Sequence, residues 1–109
     1  MTGSSDRPAL LIEERFDGPT GVRVLADGEV DLETAPMLRS AIADALRANK
    51  RVAVDLRAVT FLDSTGVAAL LAAAESARRD SVELEIEVSR VVRRVLELTG
   101  VDSALPLRR

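Results

Sequence analysis

The stretch Phe61-Leu62-Asp63-Ser64-Thr65-Gly66 sets a carboxylate, two hydroxyls and a glycine between two apolar runs, RVAVDLRAVT (51–60) and VAALLAAA (67–74). Two chemistries suit those residue types. Asp63, Ser64 and Thr65 are all good helix N-cap residues, whose side-chain oxygens accept from the free amides of a first turn. Alternatively, Ser64 is a chemically addressable hydroxyl at the amino end of a helix, where free amides and a partial positive charge would stabilise a phosphate placed on it. Gly66 serves either reading, by clearing space for a partner or by letting helix and sheet pack tightly.

Catalysis by Ser64 needs a base, as in the strand-to-helix nucleophile elbow. The chain has no histidine, and Lys50, its one lysine, precedes the strand that Ser64 follows, roughly 20 Å away at about 3.3 Å per strand residue. A magnesium-dependent phospho-acceptor cluster of Asp31, Asp55 and Asp63, each near a strand end, is a further arrangement. Against it, Asp55 points away from its apolar neighbours and can be solvated.

Composition narrows the remaining classes. With 109 residues and 47% hydrophobic content, the chain fits one domain around one core. It has no cysteine and no histidine, which removes disulfides, thiolate metal sites and the usual general base. A net charge of -3 and two aromatics, Phe16 and Phe61, leave no basic footprint or stacking surface for nucleic acid. The longest uncharged segment, 64–74, is far short of the roughly 20 residues of a membrane span. No basic-then-apolar leader opens the chain, so a cytoplasmic protein without membrane insertion is expected.

The elements that position Ser64 follow from periodicity. Residues 1–8 read as a disordered lead-in. Residues 9–16 and 22–30 read as strands joined by the turn DGPTG, 17–21. Thr34 is expected to cap a helix with Pro36 in its first turn and Leu38, Ile42 and Leu46 on one face, ending near Arg47. Val52, Val54 and Leu56 alternate in a third strand, after which Val67, Leu70, Leu71 and Ala74 keep helical spacing to about Arg79. In SVELEIEVS, Val82, Leu84, Ile86 and Val88 alternate with Glu83, Glu85 and Glu87, predicting a fourth strand with a wet glutamate face. Ser89 caps a last helix that ends at Gly100, a glycine C-cap followed by Val101. Strand, helix, strand over residues 51–88 makes a parallel crossover. The resulting class is α/β, a two-layer sandwich of a mixed sheet with helices packed on one face. Ser64 then lies at the carboxyl ends of the strands, where open α/β sheets place their sites.

In order along the chain, GEVD (28–31), VAVDLRAVTFLDSTGVAALLAAA (52–74) and VSRVVRRVLELTGVDSALPL (88–107) resemble the STAS domain family, and specifically its single-domain anti-sigma factor antagonists. The resemblance spans residues 9–107. It implies a STAS-like fold and places Ser64 at the position of a phospho-acceptor serine. It further implies a partner-switching cycle: the unphosphorylated protein binds an anti-sigma factor that is itself an ATP-dependent serine kinase, freeing a sigma factor. Phosphorylation of Ser64 ends that complex, and a serine phosphatase restores it. A docking surface of Asp31, Thr34, Asp63, Ser64, Thr65 and Gly66 is expected, with no catalytic residue, cofactor or metal. The rival reading is a non-catalytic STAS subunit of a stress-signalling scaffold or of a membrane lipid-transport complex. The chain departs from the family's pattern at Arg79-Asp80-Ser81, where glycines are common, at Arg90, where a proline often stands, and in its three glutamates.

Overall fold

A computed structural model describes residues 8–108, so the lead-in expected over residues 1–8 lies outside the described residues except for Pro8. The chain runs β1 (Leu10–Phe16), β2 (Gly21–Val30), α1 (Ala35–Ala48), β3 (Arg51–Leu62), α2 (Ser64–Arg79), β4 (Glu83–Val88), α3 (Arg90–Leu98) and a 3-10 turn, Asp102–Ala104. The sheet order is β1-β2-β3-β4, with β1 antiparallel to β2 and β3 parallel to both β2 and β4. β2-α1-β3 and β3-α2-β4 are therefore successive crossovers, and each returns the chain to the same end of the sheet.

One core joins the helices to a single face of the sheet: Val22, Val24 and Val30 of β2, Val52, Val54 and Leu56 of β3 and Ile86 of β4 meet Leu38 and Ile42 of α1, Leu70 of α2 and Leu96 of α3. Along α2 the buried Gly66, Ala69, Ala73 and Ala77 form a small-residue stripe, which permits the close approach of α1. α3 ends as expected. Gly100 takes φ +76°, and the Val101 and Gly100 amides donate to Leu96 and Glu97 carbonyls, both at 3.1 Å, the paired bonds of a glycine-terminated helix.

Two expectations are corrected. β3 does not stop after Leu56 but runs twelve residues to Leu62. Its register against β2 slips between Leu25 and Asp27 and again between Gly28 and Glu29, so the buried positions after Leu56 are Val59 and Leu62. Each bulge adds a residue and breaks the period of two that alternation relies on.

The outer face is not uniformly wet. Asp55 and Glu87 are only 4% and 8% exposed. Arg57 grips Asp55 through Nη2 and Nε, at 2.7 and 3.0 Å. Arg23 Nη1 bridges Glu87 at 2.6 Å and Asp55 at 3.2 Å, and Arg108 Nη1 lies 3.5 Å from Glu87. Only Glu83 and Glu85 of the glutamate face stay exposed. The hydrogen bonds from Arg57 hold the Asp55 carboxyl below the ordinary carboxylate range, against the opposing effect of burial. The segment that brings Arg108 there pairs with the free edge of β4, through Ile86 N to Pro106 O at 2.9 Å and Arg108 N to Ile86 O at 2.8 Å.

Finally, Ser81 adopts φ +57° between α2 and β4, in the left-handed region that favours glycine.

Candidate functional site

The ends of β2 and β3 are level, with Val30 opposite Leu62 and the Asp63 amide donating to the Val30 carbonyl at 3.2 Å. The turns that follow, 31–34 and Asp63, are therefore neighbours, and each delivers a helix amino terminus to the same end of the sheet.

The first turn is organised by Asp31 and not, as expected, by a cap from Thr34. Thr34 holds the N-cap position but with helical backbone, and its side chain makes no cap hydrogen bond. Its hydroxyl reaches back instead, donating to the Glu29 carbonyl at 2.8 Å and accepting from the Asp31 amide at 2.9 Å. Asp31 Oδ1 accepts from the Glu33 and Thr34 amides at 3.0 and 3.1 Å, closing an Asx turn.

At the second turn, Asp63 is the cap. Its backbone is extended, and Oδ1 accepts from the Thr65 amide at 2.9 Å, the Gly66 amide at 3.3 Å and Thr65 Oγ1 at 2.5 Å. These bonds, the one from the Thr65 hydroxyl foremost, hold the Asp63 carboxyl below its ordinary range, partly offset by desolvation. Thr65's hydroxyl is thereby committed. Ser64, the first residue of α2, is exposed, and among the described residues its hydroxyl makes no hydrogen bond. Of three residues able to cap, one caps, one braces the cap and one is left facing outward. The amides expected to receive a phosphate are correspondingly fewer, because those of Thr65 and Gly66 already bind Asp63.

Gly66 is buried. A Cβ on it would meet Leu62 Cδ1 at 2.6 Å and Val30 Cγ1 at 2.9 Å, so its missing side chain lets α2 sit directly on the strand ends. Asp31, Thr34, Asp63, Ser64, Thr65 and Gly66 are thus brought to one end of the sheet, Gly66 beneath the surface. Asp55 is not among them, since it faces the arginines of the outer face. The described residues contain no group of three or more side chains able to hold a metal. Lys50 donates its amide to Thr20 at the far end of β3, well beyond the roughly 20 Å expected from a shorter strand. The residues that sequence reasoning passed over are Leu32 and Phe61, both exposed at the end of the sheet that carries Ser64. Their signal was an apolar residue inside the acidic turn Asp31-Leu32-Glu33 and another directly before the loop.

Comparison with known proteins identifies the family and the fold. The family described as Mlab, STAS domain, matches residues 17–108. The anti-sigma-F factor antagonist RsfB of Mycobacterium tuberculosis is 36% identical over 89 residues, 80% of this chain and 73% of RsfB. A crystal structure of an anti-sigma factor antagonist from Mycobacterium paratuberculosis superposes with a TM-score of 0.79 at 30% identity, over 90% of this chain and 84% of that one. SpoIIAA in its unphosphorylated form shares the fold, with a TM-score of 0.73 at 18% identity over 90% and 86% of the two chains. No described helix is long and apolar enough to cross a membrane. The chain belongs to the STAS domain family.

Proposed function

We propose that this protein is an anti-sigma factor antagonist, as its relatives RsfB and the Mycobacterium paratuberculosis protein are named. In its unmodified form it binds an anti-sigma factor with serine kinase activity and so frees a sigma factor. The observation that carries the reading is the division of labour at α2. Asp63 and Thr65 complete the helix cap between them, which leaves Ser64 Oγ outward and uncommitted. Thr65, whose hydroxyl is held by Asp63, is the poorer acceptor.

Transfer to Ser64 forms an Oγ–P bond as the bond between the β- and γ-phosphates of ATP breaks, with ADP leaving. The serine proton passes to a base on the partner, because Asp63 is a weakened base with its Oδ1 turned to Thr65. The same geometry explains release. For transfer to occur, the nucleotide phosphates of the kinase must lie opposite Ser64, so a phosphoserine of about -1.5 to -2 charge is then held against them and against Asp63. Confining that charge in a closed interface costs roughly 3 to 5 kcal/mol, a hundred- to several-thousandfold in affinity. A phosphatase that removes the group restores binding. In support of this reading, SpoIIAA, which shares the fold at 18% identity, has also been solved in a phosphorylated form, with a TM-score of 0.69. The antagonist itself performs no chemistry in this scheme.

The family match shows a STAS domain and no more, so a second reading is a non-catalytic STAS subunit, of a stress-signalling scaffold or of a membrane lipid-transport complex, that works without modification. Incubation with ATP and the purified serine-kinase anti-sigma factor of the same genome, followed by mass spectrometric mapping, separates the two. Phosphate on Ser64, lost in Ser64→Ala, supports the switch. Absence of labelling in a complex that nevertheless forms supports the unmodified subunit.

A further inference from the structure

Four of the seven exposed large apolar side chains of the described residues lie at the end of the sheet that carries Ser64. They are Leu32 in the turn after β2, Met37 in the first turn of α1, Phe61 near the end of β3 and Val91 in the first turn of α3. Leu32 is 73% exposed and Phe61 47%. Neither supports the fold, since the neighbouring Val30 and Leu62 already fill the core positions. Phe61 lies opposite Glu29 in the register, and the Thr34 hydroxyl ties the Glu29 carbonyl to the turn that holds Leu32. Glu29 and Glu33 are exposed and form no ion pair among the described residues, whereas Asp31 and Asp63 are occupied with amides. Among the described residues, the carboxylates on this end, Glu29, Asp31, Glu33 and Asp63, outnumber the arginines near it, Arg39 in α1 and Arg90 at the start of α3.

Resting on the function proposed above, we infer that recognition and switching fall to different residues of this surface. Leu32 and Phe61 are the anchors, with Glu29 and Glu33 as their acidic rim. Ser64 contributes little to binding and decides only whether the complex survives. The partner face this fits has apolar sockets bordered by arginine or lysine. The attraction lies on the β2–α1 side, while the nucleotide phosphates face Ser64, so a basic rim and a repelled phosphoserine coexist in one interface. Desolvated apolar anchors carry most of the affinity in such contacts, and rim charges act chiefly on association rate.

The test is titration and stopped-flow association against the same purified anti-sigma factor, without nucleotide. Leu32→Ser and Phe61→Ser should each weaken binding by at least about thirtyfold. The double variant Glu29→Gln/Glu33→Gln should slow association and flatten its salt dependence. Phe16→Ser, 95% exposed at the opposite end of the sheet, should change nothing. Leu32 stands on an exposed turn, so its variant keeps the fold and decides the matter even if Phe61→Ser melts early. Wild-type affinity in Leu32→Ser overturns the inference while leaving a labelled Ser64 intact. Lost affinity in Leu32→Ser, with no labelling of wild type under ATP, leaves the anchors standing and removes the switch. A wild type that neither binds nor is labelled removes both.

Discussion

Replacing Asp63 or Ser64 by alanine separates the cap from the switch. Asp63 Oδ1 receives the Thr65 amide, the Gly66 amide and the Thr65 hydroxyl, so Asp63→Ala leaves two first-turn amides without a protein acceptor and frees the hydroxyl beside them. Loss of one helix cap in a domain of this size lowers the melting temperature by about 4 to 8 °C. Ser64→Ala removes a hydroxyl with no partner among the described residues, and alanine is the better helix former, so its melt should stay within about 2 °C of wild type. Asp63→Asn, which retains an accepting oxygen, should recover most of the difference. Circular dichroism at 222 nm is the assay, because the chain has neither tryptophan nor tyrosine. A drop in Ser64→Ala as large as that in Asp63→Ala would make Ser64 a structural cap and refute the division of labour on which the function rests.

Three further outcomes follow from the packing and the charges. Gly66→Ala meets Leu62 and Val30 side chains at 2.6 to 2.9 Å; overpacking of about 1 to 3 kcal/mol against a helix-propensity gain of at most about 1 gives a net loss near 1 kcal/mol in urea denaturation, and a net gain would contradict the close contact. Because Arg57 depresses the Asp55 carboxyl below its usual 3.8, the stability it contributes is present above about pH 4 and is lost as pH falls through the folded value. The melting-temperature gap between wild type and Asp55→Asn should therefore be constant near neutrality and close below about pH 4, and a pH-independent gap would count against the pairing. Ser81→Gly relieves the positive φ of +57° and should raise stability by about 0.5 to 1 kcal/mol, whereas a loss in the same melt would show that Ser81 is not strained.

Much of this architecture was legible because the signals were local. Leu38, Ile42 and Leu46 repeat every four residues and are buried in α1; Gly100 ends α3 through a backbone conformation that glycine favours. The location of Ser64 followed from strand-helix order alone. What escaped was non-local. The outer positions of β3 and β4 carry the same residue types whether solvated or paired, and only the sheet brings Arg23, Asp55, Glu87 and the distant Arg108 together. The end of β3 was obscured by two bulges, which substitute spacings of three for the expected alternation. Thr34 and Asp31 are both good turn residues three apart, and which one serves as acceptor depends on whether the Thr34 hydroxyl can reach the Glu29 carbonyl. That reach is set by how β2 enters the turn, which propensity does not encode.

The most direct test of the switch is a set of dissociation constants for the purified anti-sigma factor, measured by calorimetry with four forms of the protein: unmodified, Ser64-phosphorylated, Ser64→Ala and Ser64→Asp. Ser64→Ala should bind within about threefold of the unmodified protein, since among the described residues the open hydroxyl makes no bond that alanine would break. Phosphorylation should weaken binding a hundred- to several-thousandfold. Ser64→Asp, with one charge in place of nearly two, should fall between them while retaining its melting temperature within a few degrees. Equal affinity of the phosphorylated and unmodified forms would contradict the account.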